Sequence, residues 1–107
     1  MDPLDNFQII INHLKTRRGM YILESDSFYS LSNFINGYSI GVFNETKKDI
    51  IKDFHNWLEV REGKRFSLNW ASYILQIKCN NDNEKAIKLS LSLLSEFITD
   101  LKEHNLN

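Results

Sequence analysis

The chain has little of what small proteins use to hold themselves together or to do chemistry. It has one cysteine in 107 residues, which rules out an internal disulfide framework and a thiolate zinc site. One proline and four dispersed glycines exclude a low-complexity linker and a phosphate-cradling glycine loop. No apolar run exceeds four residues, far short of a membrane span. No basic stretch followed by an apolar one opens the chain, so no secretory signal is expected, and the reading is cytoplasmic. Net charge is −1, so no global field marks a nucleic-acid or membrane-surface protein.

What is present is an ordinary globular balance of 42% hydrophobic, 12% aromatic and 25% charged residues, in a length that suits one domain spanning residues 1–107. Apolar spacing reads as helix nearly throughout. Asp2-Pro3 offers a cap and a first-turn proline. Leu4, Phe7, Ile10, Ile11 and Leu14 form a stripe that Gly19 is expected to end. Met20–Leu23 reads as an extended apolar connector packed under the fold. The second helix carries Phe28, Leu31, Phe34, Ile35, Tyr38 and Val42, with Gly37 suggesting a close neighbour or a kink. Asn44-Glu45-Thr46 is expected to cap a third helix that closes at Gly63. Ser67 or Asn69 caps a fourth, Asn80–Asn83 forms a loop, and a long apolar helix covers about 83–103. The expectation is an all-α, single-domain bundle of about five helices, with strands at 20–23 or 73–78 as the competing assignment.

Catalytic groups are sparse. His13, His55 and His104 fall on three different helices, and only His55 has a His, Asp or Glu three or four residues after it, Glu59; two ligands do not hold zinc. Cys79 follows Lys78 but has no histidine beside it in the chain to act as base. The chain reads as a non-enzyme without cofactor or metal. Arg17-Arg18 and Lys64-Arg65 neighbour aromatics, but four charges give weak phosphate affinity, so no direct nucleic-acid partner is expected. Acids are unevenly spread. Residues 24–62 hold Glu24, Asp26, Glu45, Asp49, Asp53, Glu59 and Glu62 against four bases, a net of −3, enough for a modestly acidic face toward a basic partner.

Arg17-Arg18-Gly19-Met20-Tyr21 is similar to Arg-Pro-Gly-Met-Tyr, with Arg18 where the pattern has proline. That phrase also opens the ATPase domain of type II topoisomerases, whose nucleotide loops are missing here. Leu31-Ser-Asn-Phe34-Ile-Asn-Gly37-Tyr38 follows, then Trp57-Leu58, Arg61-Glu-Gly63 and Ser67-Leu-Asn-Trp70. In this order and spacing the chain resembles short bacterial immunity proteins of contact-dependent inhibition and other polymorphic toxin systems. The resemblance implies a protein that neutralises a cognate, basic toxin domain, such as a nuclease, by covering its active site or substrate groove. The contacts would come from the seven acids with His55 and Tyr29, Trp57 and Trp70 being core residues. A monomer is expected. The alternative is an interaction module that self-associates through Leu91 and Leu94 of its last helix.

Overall fold

The computed structural model describes residues 3–105. Helix α1 spans Pro3–Thr16, α2 Phe28–Thr46, α3 Ile50–Glu62 and α5 Asn83–Asn105; α4, Trp70–Ser72, continues directly into a π-helix, Tyr73–Lys78. The described residues form no strand, so the all-α bundle stands and both strand alternatives fall.

The bundle is organised around α5, which packs on α1, α2, α3 and the π-helix. Its 23 residues extend about 34 Å at 1.5 Å per residue, close to the 37 Å long dimension of the molecule. Ala86, Ile87, Leu91, Leu94, Phe97 and Ile98 are all buried. The apolar face of α5 is thus filled by the chain's own helices, Leu91 and Leu94 included. The expected inward stripes hold. Phe7, Ile11 and Leu14 of α1, Phe28, Leu31 and Ile35 of α2, and Ile50, Phe54 and Leu58 of α3 join the same core. Phe54 lies at its aromatic centre, with ring centroids 5.3 Å from Phe97, 5.7 Å from Trp70 and 5.9 Å from Trp57.

Helix ends depart from expectation in two places. The Asp2 cap lies outside the described residues. α1 stops at Thr16, before Gly19, and the chain enters a 3₁₀ turn at Arg18–Met20. Arg18 makes this ending: its guanidinium donates to the carbonyls of Leu14 at 3.3 Å and Ser25 at 3.1 Å. A cation thereby satisfies a free carbonyl at the negative helix end. The connector after it is not an apolar underlay. Ile22 is buried, whereas Met20, Tyr21 and Leu23 are exposed.

Asn44-Glu45-Thr46 is not a cap either, because α2 runs through it and closes on Lys47 in the left-handed region. Asp49 caps α3, its Oδ1 accepting from the Lys52 N–H at 3.0 Å. Ser27, Asn69 and Asp82 do the same for the helices that follow them. Gly63 closes α3 at φ +72°, as expected of a residue without a Cβ. Gly37 has no close neighbour: a Cβ there would meet nothing within 4 Å.

Candidate functional site

The acids of residues 24–62 fall into two groups according to what their carboxylates do. Glu59 and Glu62 are engaged inside the fold. Glu59 Oε2 accepts from the Phe66 N–H at 3.0 Å and lies 3.3 Å from His55 Nε2. The His55 ring packs on Phe66 at 4.6 Å. His55 and Glu59 thus close the turn between α3 and α4. Glu62 Oε1 accepts from Tyr73 Oη at 2.7 Å and from Lys78 Nζ at 3.0 Å. The Tyr73 hydrogen bond, aided by Lys78 against the opposing effect of burial, lowers the Glu62 pKa. Burial, with Glu62 beside it, pushes the Tyr73 hydroxyl up to about 12. Asp49 is occupied by its cap.

Glu24, Asp26, Glu45 and Asp53 take part in no ion pair among the described residues. They do not form one face. Glu24 and Asp26 precede α2, whereas Glu45, Asp49 and Asp53 lie at its far end. The 19 residues of α2 separate the two ends by about 28 Å. At the far end Lys47, Lys48 and Lys52 balance the three acids. At the N-terminal end of α2, Glu24 and Asp26 line a groove with Leu23, Ser25, Ser27 and Asn83, and the nearby Arg18 guanidinium is held on the Ser25 carbonyl, leaving the acids in excess.

Tyr29 belongs to a different feature. It is 72% exposed on the outer face of α2, as are Ile40 at 61% and Phe43 at 42%. With Asn33 and Asn36 they recur at steps of four and three, within about 80° of helix arc. Two grooves meet on this face and share Asn36. One, of 310 Å³, is lined by Ser39, Ile40, Phe43, Asp49 and Ile51. The other, of 200 Å³, lies between α2 and α4 and includes Tyr29, Asn33, Asn69, Leu75 and Gln76. Asn36 is held in place as acceptor for the Trp70 indole N–H at 2.9 Å.

The sequence reading did not pick out Ile40, Phe43 and the amides. A signal existed, since residues 27–44 contain no charged residue in a chain that is 25% charged. The stronger inward stripe of the same helix concealed it.

The remaining reactive side chains have structural work. His13 Nδ1 meets the Tyr21 hydroxyl at 2.5 Å. Cys79 is buried behind the π-helix, and burial, followed by the nearby Asp82, raises its thiol pKa, away from the thiolate a nucleophile needs. Among the described residues no three His, Cys, Asp or Glu side chains gather as a metal site. None of their helices is long and apolar enough to cross a membrane. Comparison of the chain with protein-family models, curated proteins and solved structures finds no significant match.

Proposed function

We propose that the chain is an immunity protein: it binds a cognate toxin domain in the cytoplasm of the cell it protects, and neutralises it by occlusion. The resemblance in sequence suggests this class, and one structural observation carries it. The two tryptophans of the resemblance direct their polar atoms into the fold. The Trp57 indole donates to Asp100 at 2.9 Å and Trp70 to Asn36, while Gly63 closes a helix. A signature made of framework residues leaves the outer surface free to match one partner, and that division suits a binder whose specificity must vary from toxin to toxin.

Self-association through α5 receives no such support, because Leu91 and Leu94 already lie in the core. The deciding experiment is genetic. The C-terminal domain of the protein encoded immediately upstream is expressed alone and then with this chain. Growth arrest by the domain, relieved by co-expression, is the expected result. Arrest that the chain does not relieve would remove the proposal.

A further inference from the structure

The two longest uncharged runs of the chain are residues 27–44 and 66–77, and they face each other across one groove. α2 supplies Tyr29, Asn33 and Asn36 to it, and α4 with the π-helix supplies Asn69, Leu75 and Gln76. The α2 stripe continues past the groove to Ile40 and Phe43, about 21 Å from Tyr29 along the helix. Thirty residues without a charge are not needed by the core alone, since Tyr29, Ile40 and Phe43 lie outside it, well exposed. Depletion of charge with aromatic and aliphatic side chains between amides is the composition of an interface centre.

Resting on the immunity reading, we infer that this outer face of α2 is the toxin-docking surface. The occupant is an uncharged, apolar ridge of the toxin domain that ends in a basic side chain. Electrostatics set both parts of that description. A charged residue placed in the groove between Tyr29, Asn33 and Gln76 would be buried without a counter-ion, since no charged side chain lines it. At the N-terminal end of α2, by contrast, Glu24 and Asp26 both line a groove, against the single guanidinium of Arg18 held on the Ser25 carbonyl, and a lysine or arginine there gains two carboxylates. The far end, with its lysines and acids in balance, offers no such preference. The ridge therefore lies in one direction, its basic end over Glu24 and Asp26. Affinity resides in the neutral stripe, and steering in the acidic end.

The test uses the intact chain and the purified C-terminal domain encoded upstream, with binding kinetics, protection and sedimentation measured together. Ile40→Asp and Tyr29→Ala are expected to weaken binding about thirtyfold or more, the mark of hot-spot residues, while circular dichroism and the thermal midpoint stay near the parent's. Val60→Asp, at a position 81% exposed on α3, should leave binding within about threefold, as a site away from the interface centre does. Glu24→Lys with Asp26→Lys should slow association at low salt and leave dissociation nearly unchanged. Protection and tight binding retained by folded Ile40→Asp and Tyr29→Ala would overturn the docking surface and leave the immunity reading intact. So would a parent chain that dimerises through Ile40, which would make a second copy the occupant. A parent chain that neither binds nor protects overturns both.

Discussion

Tyr73 and Lys78 stand five residues apart and donate to the same oxygen, Glu62 Oε1, at 2.7 and 3.0 Å. In an α-helix, side chains five apart diverge by about 140°. In a π-helix, whose bonds run from i to i+5, the turn is wider and the two lie closer together around the axis. The π-helix at Tyr73–Lys78 therefore lets one carboxylate hold both ends of the segment. Phe66 stacks on Tyr73 at 3.9 Å and Lys64 lies 5.8 Å over its ring, completing the clamp.

Loss of this clamp should be visible as pH dependence. The Glu62 pKa is lowered in the folded state, so its contribution is full above the ordinary carboxylate range and disappears as pH falls through the folded value. Tyr73 is raised to about 12, so its contribution is full below pH 10 and disappears as pH rises toward 12. Glu62→Gln should lose about 1–3 kcal/mol at pH 7 by urea denaturation, as for a charged hydrogen-bonding partner, and flatten the acid limb. Tyr73→Phe should flatten the alkaline limb. An acid limb as steep in Glu62→Gln as in the parent would refute the assignment.

Asn36 tests a buried indole. Asn36→Ala leaves the Trp70 N–H without its acceptor, beneath a ring that is almost wholly buried. The expected loss is about 1–3 kcal/mol, the desolvation of an orphaned donor. Asp100→Ala, whose partner Trp57 is half-buried, should lose less, since water can reach that donor. Equal losses by urea titration would contradict this ranking.

Two glycines should respond with opposite sign. Gly37→Ala meets open space in mid-helix and should gain about 0.5–1 kcal/mol. Gly63→Ala at φ +72° should lose about 1 kcal/mol, as a left-handed residue acquires a Cβ. Denaturation midpoints decide both, and a destabilised Gly37→Ala would mean that α2 is under a constraint other than packing.

Asp49 separates cap from charge. Asp49→Ala should cost about 1 kcal/mol and Asp49→Asn almost nothing, because both oxygens cap equally well. Urea titration of the two variants checks this, and a loss in Asp49→Asn as large as that in Asp49→Ala would refute the cap.

The helices were legible because their inward stripes are long and regular: Leu4 through Leu14, Phe28 through Val42, and Ile87 through Leu101 repeat at three and four without interruption. The ends were less so. Capping is decided by one or two bonds, and Arg18 and Asp49 took them in place of Gly19 and Asn44. The π-helix left no mark in its sequence, since Tyr73–Lys78 has the periodicity of an ordinary amphipathic turn. Among the candidate site residues, composition identified acids but not their partners. Glu59 and Glu62 look like Glu24 and Asp26 in a list of charges, and only the fold separates those that hold the backbone from those that face outward.

The central position of α5 bears on how the protein is made. Every element that packs on it is synthesised earlier, and Lys102 near its end pairs with Asp5 and donates to Gln8 at 2.8 Å. During translation the apolar faces of α1, α2 and α3 leave the ribosome before the helix that covers them exists. The apolar faces of the nascent chain are consequently open to chaperones and proteases until residues 86–98 are available to cover them.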